Sequence, residues 1–234
     1  MSDLPIAVVL LSGGMDSAVV LSTVVKKGFS AHALSFDYGQ RHRFELQLAQ
    51  RVAKNEGADV HREIVLDGSA FRGSALTDDI SVPKGRSTES TDIPVTYVPA
   101  RNLVFLSMAS AYAESVGSTD IFLGVNAVDY SGYPDCRPEF ISSFERTVNL
   151  GTRVGIEGEE AIRIHAPLQD LSKAGIVQLG SSLGVDFGST LSCYDPHIEG
   201  AMISQCGECD ACQLRSGGFM QSNLEDPGRV ITLS

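Results

Sequence analysis

The feature that most constrains the fold is an apolar run that passes directly into a glycine turn and then into a helical pattern. Residues 6–11 read Ile-Ala-Val-Val-Leu-Leu, and residues 11–17 read Leu-Ser-Gly-Gly-Met-Asp-Ser. A continuous apolar run is typical of a strand that is buried on both faces of a parallel sheet. Because Gly13 and Gly14 have no Cβ atom, their N–H groups can approach an anion, and the dipole of the following helix favours negative charge. The stretch therefore predicts a strand, a phosphate-binding turn and a helix.

This turn differs from two better-known phosphate-binding motifs. It lacks the Lys-Ser/Thr pair of a Walker A loop, and Gly13 and Gly14 lack the spacing of the dinucleotide fingerprint. An ordinary strand-to-helix turn, in which Ser12 or Asp16 caps the helix, is the alternative interpretation. The complete string over residues 12–17 resembles the PP-loop of the ATP pyrophosphatase family, whose members split ATP into AMP and pyrophosphate to adenylate a substrate oxygen.

The PP-loop resemblance implies ATP as the nucleotide and an adenine nucleotide alpha hydrolase-like fold. By the same resemblance, Ser12, Gly13, Gly14 and Ser17 would hold the phosphates, and Asp16 would orient the loop or a Mg²⁺ ion. The nucleotide-binding residues expected in this part of the chain are Leu11, Ser12, Gly13, Gly14, Met15, Asp16, Ser17 and Ala18.

Composition and charge narrow the class of protein. At 234 residues the chain suits one domain with a small appendage, and a net charge of −11 disfavours a tight nucleic-acid binder. A small anionic substrate needs only a local cluster of positive groups. The sequence contains no apolar run of about 18 residues, and its N-terminus lacks the basic start of a signal peptide. These features predict a cytoplasmic protein that binds a small molecule and neither a membrane nor nucleic acid.

Strand-like and helix-like segments alternate through the first two-thirds of the chain. Repeated βα units of this kind predict an α/β fold with a doubly wound, mostly parallel, Rossmann-like sheet. The predicted strands and helices are residues 6–11, 17–27, 31–36, 44–56, 60–66, 103–116, 120–124, 139–152, 162–167 and 172–183. Residues 67–99 interrupt this alternation of strands and helices, and the segment is too long for a simple connecting loop.

Four polar strings are expected outside the carboxyl ends of the strands of this sheet. They cover residues 12–17, 37–40, 99–102 and 124–137. In open α/β sheets, ligands bind outside the carboxyl ends of the strands. We therefore expect the four strings to meet at one edge of the sheet and to form the functional site there.

Five cysteines are present, and four of them lie close together in sequence: Cys193, Cys206, Cys209 and Cys212. Four thiolates suit a tetrahedral Zn²⁺ ion, with a [4Fe–4S] cluster as the main alternative. Disulfides are disfavoured in the cytoplasm. Because four protein ligands leave no open coordination position, we predict one structural Zn²⁺ ion per chain. Cys136, outside this group, is either a small semi-buried residue or a nucleophile.

The cysteine group also suggests a division of the chain. We expect residues 1–185 to form the PP-loop ATP-binding and catalytic domain. Residues 186–234 would form a C-terminal zinc-binding extension that packs on this domain. The histidines show no metal-ligand spacing among themselves, so we expect them to be packing or surface residues.

Several motifs taken together resemble the 7-cyano-7-deazaguanine synthase family. They are the PP-loop, Val-Pro-Ala-Arg-Asn at residues 98–102, the string Gly-Val-Asn-Ala-Val-Asp-Tyr-Ser-Gly-Tyr-Pro-Asp-Cys-Arg at residues 124–137, and the C-terminal cysteines. The spacing from Cys193 to Cys206 looks longer than is usual in the family, but a longer loop adds little closure entropy. Residues 83–94 are also unlike the family pattern.

The family resemblance implies an ATP-dependent ligase of queuosine biosynthesis. Such an enzyme converts 7-carboxy-7-deazaguanine and ammonia into the nitrile through adenylated carboxylate and amide intermediates. It would use ATP, Mg²⁺ and Zn²⁺, and the resemblance also suggests a homodimer. Alternative interpretations are another PP-loop adenylating enzyme, acting in tRNA thiolation or amidation, and a non-catalytic nucleotide-binding module organised by zinc.

Residue roles follow from the same resemblance. The expected catalytic residues are Ser12, Asp16, Ser17, Arg101 and Lys173. Lys173 would meet the leaving phosphates, although a solvated helix lysine is the alternative. Arg101 would bind a phosphate or the substrate carboxylate, although a surface salt bridge is the alternative.

The remaining expected contacts are with the purine-like substrate and with adenosine. Carboxylates could accept hydrogen bonds from the guanine-like edge, tyrosines could stack on the base, and Arg137 could pair with the carboxylate. The expected substrate residues are Arg101, Asn102, Asp129, Tyr130, Ser131, Tyr133, Asp135 and Arg137. Asp37 and Gln40 would lie where adenosine is held, although a turn aspartate is the alternative for Asp37.

Overall fold

A parallel β-sheet forms the centre of the protein. The structure is a computed structural model that describes residues 4–85, 92–127 and 132–232. The strand order is β3-β2-β1-β4-β5, and every neighbouring pair is parallel. The strands are β1 (Ile6–Leu10), β2 (Ser30–Asp37), β3 (Val60–Val65), β4 (Asp120–Phe122) and β5 (Arg163–His165). The predicted doubly wound parallel sheet is confirmed.

Helices cover both faces of this sheet. The helices are α1 (Met15–Lys26), α2 (Phe44–Asn55), α3 (Arg101–Val116), α4 (Pro138–Gly151), α5 (Arg153–Glu157), α6 (Lys173–Leu183) and α7 (Asp210–Gln221). The side chains of Ala7 and Val9 on β1 pack with α1, α2, α6 and α7, whereas Val8 packs with α3 and α4 on the opposite face. Burial of each large apolar side chain, such as Leu21 or Leu106, contributes about 1.5–3 kcal/mol.

Two helices begin two residues earlier than the sequence patterns predicted. The first helix starts at Met15 rather than at residue 17, because Gly14 already has extended backbone angles and acts as the N-cap. The third helix starts at Arg101 rather than at residue 103. The N–H of Asn102 donates a hydrogen bond to Oδ2 of Asp135 at 2.8 Å, so a distant carboxylate caps this end. Such a cap leaves no signal in the neighbouring sequence.

The C-terminal part contains elements that the sequence patterns did not predict. Helix α7 is accompanied by a small antiparallel sheet with strand order β6-β7-β8. Its strands are β6 (His197–Glu199), β7 (Met202–Ser204) and β8 (Val230–Thr232). Ile203 and Ile231 of this sheet share a core with Leu48 of α2 and with three of the clustered cysteines. The C-terminal segment therefore packs against the helical layer of the main sheet.

A wholly buried arginine fastens this segment. Arg215 on α7 makes a bidentate contact with Asp226, at 2.8 Å for each nitrogen, and also donates to the carbonyls of Phe187 and Thr190. A buried guanidinium is tolerated only when it is paired and its donors are satisfied. The contacts tie α7 to the chain that follows α6 and to the approach to β8.

The long segment after β3 is packed rather than loose where the structure describes it. Phe71, Ala75 and Val82 are buried, and Arg41 donates to the carbonyl of Ile80 at 3.0 Å. Apart from a short 3₁₀ turn at Gly68–Ala70, the described residues between β3 and α3 form neither helix nor strand. Over the whole described part of the chain, no helix combines the length and the apolar character needed to span a membrane.

Candidate active site

The glycine turn presents the uncapped N-terminus of α1 at the carboxyl end of β1. Gly13 has a φ of +76°, and Gly14 is the N-cap without a side-chain hydrogen bond to the helix. The Ser17 hydroxyl donates to the carbonyl of Gly14 at 3.0 Å and accepts from the N–H of Ser12 at 3.2 Å. The hydroxyl groups thus brace the turn instead of capping the helix. The N–H groups of the first helical turn are left for an anion.

We expect Gly13→Ala to destabilise the protein through this turn. A Cβ atom at Gly13 would lie 2.9 Å from the backbone nitrogen of Ala49 and 3.0 Å from the carbonyl oxygen of Glu45 on α2. The left-handed backbone alone costs about 1–2 kcal/mol for a residue with a side chain, and the clash adds to this. Gly28→Ala is the matched control, because Gly28 has a φ of +84° and a Cβ atom added there would meet open space. Urea unfolding of both variants should show the larger loss for Gly13, and equal losses would contradict the close approach.

A partly buried ion pair lies next to the turn. The Lys173 ammonium is 2.5 Å from Oδ2 of Asp16, and the Asn126 amide donates to the same oxygen at 3.2 Å. Ser172 caps α6 by accepting from the N–H of Gly175, which places Lys173 in the first turn of that helix. The Lys173 side chain is only 13% exposed, which excludes the solvated helix lysine considered above.

The other oxygen of the Asp16 carboxylate does not take part in this ion pair. Oδ1 of Asp16 is buried and has no hydrogen-bond partner among the described residues. A buried carboxylate oxygen without a partner is unfavourable unless a cation or water satisfies it. Carboxylate oxygens are ligands that Mg²⁺ prefers. The donor chemistry of this position therefore fits the expected magnesium ion.

A cavity of about 290 Å³ opens beside the turn, at the carboxyl edge of the sheet. Parts of all four polar strings line it, so the structure brings them together as expected. The expected site residues that line the cavity are Leu11, Ser12, Gly14, Met15, Asp16, Ser17, Gln40, Arg101, Asn102, Tyr133, Asp135 and Lys173. The cavity volume is at the lower end of the range for small-molecule sites.

Arg101 lies in the cavity with an aromatic and an acidic neighbour. Its guanidinium donates to the hydroxyl of Tyr38 at 3.4 Å and lies 6.0 Å from the centre of that ring. Burial raises the pKa of Tyr38, so the phenol stays protonated at neutral pH. Burial also raises the pKa of Glu45 to about 7, and the charge of Arg101 opposes this rise. Among the described residues Arg101 forms no salt bridge, in contrast to the surface pair considered as its alternative.

Asn102 and Asp135 are joined by hydrogen bonds at the end of α3. In addition to the cap described above, the Asn102 amide donates to Sγ of Cys136 at 3.1 Å. Burial raises the pKa of Asp135, and the hydrogen bond from Asn102 opposes this rise. These bonds hold the chain around Asp135 against α3. Cys136 is a buried wall residue of the cavity.

Two tyrosine rings form an aromatic wall. The rings of Tyr97 and Tyr133 have centres 6.0 Å apart and an interplanar angle of 27°. The Tyr133 hydroxyl is 3.1 Å from Oγ1 of Thr96, and the Tyr97 hydroxyl accepts from the N–H of Ala100. Fixed aromatic faces of this kind suit a planar ligand.

Other expected site residues lie elsewhere or are satisfied by the protein itself. Asp37 forms an ion pair with Arg43 and does not line the cavity, while the Gln40 amide bonds back to the backbone of Tyr38 and Phe36. Three more expected residues within the described chain are outside the lining: Gly13, Ala18 and the exposed Arg137. Asp129, Tyr130 and Ser131 fall outside the described residues.

Several residues of the cavity wall were not predicted from the sequence. They belong to the stretch after β2, to the approach to α3 and to the C-terminal segment. They include Tyr38, His42, Glu45, Tyr97, Phe105 and Tyr194. The polar string at residues 37–40 could have drawn attention to Tyr38, because it stands at a strand end. Tyr194 carries no such signal, since it reaches the cavity only through the folding of the C-terminal segment.

The four clustered cysteines form a candidate metal centre. Their sulfur atoms all lie within 4.8 Å of one another, and all four thiols are free rather than disulfide-bonded. Backbone N–H groups of Tyr194, Asp195 and Cys206 point at these sulfurs at 3.3–3.4 Å. Four thiolates with N–H donors around them fit a closed tetrahedral zinc site. Tyr194, next to Cys193, lines the cavity, so the metal centre supports one of its walls.

The sheet order, the uncapped glycine turn and the adjoining lysine–aspartate pair define the class: an α/β protein of the PP-loop, adenine nucleotide alpha hydrolase-like type. A solved structure supports the fold alone. The predicted subunit of tRNA methyltransferase from Methanocaldococcus jannaschii has a TM-score of 0.52 and 18% identity, covering 99% of this chain and 97% of its own.

Sequence comparison then defines the family. The family model described as queuosine biosynthesis protein QueC matches residues 6–223. The 7-cyano-7-deazaguanine synthase of Desulfatibacillum aliphaticivorans is 56% identical over 227 residues, which cover 96% of each chain. The protein of the same name from Anaeromyxobacter dehalogenans is 58% identical over 224 residues, which cover 94% of each chain. The chain belongs to the QueC family of enzymes.

Proposed function

We propose that this protein is an ATP-dependent ligase that converts 7-carboxy-7-deazaguanine and ammonia into 7-cyano-7-deazaguanine, a step towards queuosine. The observation that carries the proposal is the uncapped start of α1 beside the Asp16–Lys173 pair. An uncapped helix end with a partly buried ammonium next to it is suited to the triphosphate of ATP. The strong similarity to relatives named for this activity supports the choice of substrate.

The chemistry needs two activations at the same carbon atom. A carboxylate oxygen is a poor leaving group until it attacks the α-phosphorus of ATP and becomes part of an adenylate. Ammonia then adds to the carbonyl carbon, and AMP leaves to give the amide. A second ATP would activate the amide oxygen in the same way, after which loss of protons and AMP gives the nitrile. One cavity can serve both steps because the reacting oxygen occupies the same position.

The residues of the chain act mainly by position and charge. The N–H groups at the start of α1 and the ammonium of Lys173 would stabilise the pyrophosphate as it leaves. Asp16 would hold Mg²⁺, which supplies positive charge to the phosphates. Arg101 would bind the substrate carboxylate before it is adenylated. The rings of Tyr97 and Tyr133 would stack on the planar deazaguanine.

The remaining assignments follow from the charge and the cysteine cluster. The four cysteines would hold one structural Zn²⁺ ion per chain, which shapes the cavity wall without taking part in the chemistry. The net charge of −11 supports a small-molecule substrate and no direct contact with nucleic acid. We further propose that the enzyme works in the cytoplasm as a homodimer.

The test is a product assay with the purified protein. Incubation with ATP, Mg²⁺, 7-carboxy-7-deazaguanine and ammonium should yield the nitrile together with two AMP for each nitrile formed, measured by chromatography. Omission of ammonium should stop nitrile formation. A parallel incubation with unmodified tRNA in place of the deazaguanine tests the other adenylating activities. Absence of both AMP and nitrile with the deazaguanine would refute the proposal.

A further inference from the structure

Glu45 occupies a position in the cavity that the proposed roles do not use. It lies in the first turn of α2, and its side chain lines the cavity. Its carbonyl oxygen is 3.0 Å from the position that a Cβ atom on Gly13 would take, so this turn of α2 lies directly against the phosphate loop. Glu45 therefore lies next to the loop that would bind ATP, and it lines the same cavity as Arg101, which would bind the substrate carboxylate.

Among the described residues, no hydrogen bond or salt bridge gives the carboxyl group of Glu45 a structural role. Within the described residues it makes no side-chain hydrogen bond or salt bridge, in contrast to Asp16 and Asp135 of the same cavity. Its electrostatic neighbours are Arg101 from α3 and Tyr38 from the end of β2. An unbonded acid that is partly removed from water is unfavourable for stability, and such groups concentrate at catalytic sites.

The proposed reaction needs a proton acceptor at this place. Ammonia in neutral solution is mostly ammonium, which has no free electron pair and cannot attack a carbonyl carbon. The cavity groups assigned above are either positively charged, hydrogen-bonded or reserved for phosphates. A carboxylate between the adenylate and the solvent would attract the cation and accept its proton.

We propose that Glu45 is the general base that takes a proton from ammonium as the nitrogen attacks the adenylated carboxyl carbon. This inference rests on the proposed function. An N–H bond of ammonium breaks, its proton goes to a carboxylate oxygen of Glu45, and the released electron pair forms the C–N bond. The bond between the carboxyl carbon and the oxygen of AMP breaks, and AMP leaves with the two electrons of that C–O bond. The second proton of the new ammonium group is lost to water, which leaves the neutral amide.

The first test compares two nucleophiles in the Glu45→Gln variant. Hydroxylamine is uncharged at neutral pH, so it needs no base before it attacks, whereas ammonium does. We expect kcat/KM for total ammonia to fall about 10²-fold or more, and the value for hydroxylamine to fall far less. Glu63→Gln, which changes an exposed carboxylate on β3, is the matched control. An equal fall for both nucleophiles, or no fall for either, would overturn the inference.

The second test uses the unaltered enzyme and the pH dependence of the ammonia reaction. Because burial raises the pKa of Glu45 to about 7, kcat/KM for total ammonia should rise with pH up to this value and then level off. Without a base, the rate would follow the concentration of free ammonia and would keep rising above that pH. A continued rise in the unaltered enzyme would overturn the inference, even if the variant failed to fold.

The third test measures the thermal stability of the Glu45→Gln variant, for which the raised pKa predicts the direction of the change. The pKa of Glu45 in the folded protein is raised from 4.5 to about 7, so ionisation opposes folding as the pH rises through this window. Glu45→Gln removes this charge and should leave Tm equal or higher above pH 7. A clear loss of Tm there would assign the carboxyl a structural role and overturn the inference. Failure of the proposed function is distinct, because then the unaltered enzyme would form no AMP at all.

Discussion

Lys173→Met is expected to lower kcat by a factor of about 10²–10³, because it removes a preorganised positive charge beside the leaving pyrophosphate. The ammonium of Lys173 lies 2.5 Å from Oδ2 of Asp16, and the Lys173 side chain is only 13% exposed, so little solvent screens this charge. Pyrophosphate release in the steady state measures the loss. Lys54→Met, at an exposed position near the end of α2, is the matched control and should leave kcat unchanged.

The fall in kcat could also result from a loss of stability, and a double substitution separates these two causes. Lys173→Met alone leaves the carboxylate of Asp16 without its partner, which would cost up to about 3–5 kcal/mol if the site were fully buried. Asp16→Asn/Lys173→Met should recover much of this stability in thermal denaturation, since no unpaired charge remains. The double variant should still have a lower kcat than Asp16→Asn alone. If the two were equally fast, Lys173 would serve only as the partner of Asp16.

Cys209→Ser is expected to remove bound zinc and to destabilise the whole C-terminal segment. Cys209 is completely buried, and its sulfur belongs to the cluster in which all four sulfurs lie within 4.8 Å. A metal that binds only the folded state adds about 4 kcal/mol when its free concentration is a thousand times Kd, so a loss of this order is expected. Elemental analysis and thermal denaturation measure the two effects. Activity should fall as well, because Tyr194 loses its support in the cavity wall.

Cys136→Ser provides the matched control for the metal. Cys136 is buried in the cavity wall, away from the other four cysteines, and it should retain the full zinc content. If Cys209→Ser also retained full zinc and the unaltered Tm, the cluster would not be a metal site. A visible absorption band and iron in the purified protein would identify an iron–sulfur cluster in place of zinc.

The predicted elements of the main sheet agree with the structure to within a few residues. The apolar run before the glycine turn became β1, and Gly28 and Gly184 have left-handed backbone angles just beyond the ends of α1 and α6, as their positions indicated. These features depend on hydrogen bonds and backbone angles between close neighbours in sequence, and so their signals are local. The small C-terminal sheet gave no such signal, because β6 has no buried residue and β7 and β8 have one each, Ile203 and Ile231, so these strands contain no continuous apolar run.

The residues of the candidate site divide in the same way, into those with a local signal in the sequence and those whose role depends on the folded structure. The phosphate loop and the cysteine cluster are short motifs, so their residues could be assigned from spacing. The roles of Asp37 and Gln40 are different, because each side chain bonds within its own turn: Asp37 with Arg43, and Gln40 with the backbone nearby. Sequence position indicated that they stand at a strand end, and it could not indicate which of their atoms remain available to a ligand.

By itself, the sequence indicated a strand that runs into a glycine turn, an alternation of strands and helices typical of a parallel α/β sheet, and a group of four thiols, because each leaves its signal within short stretches of residues. Tertiary structure alone decided that Lys173 meets Asp16 across 157 positions of the chain and that Glu45 and Arg101 line one cavity. Such pairs form only when the sheet edge gathers distant loops. Their burial then sets which charges are paired and which carboxyl group has a raised pKa.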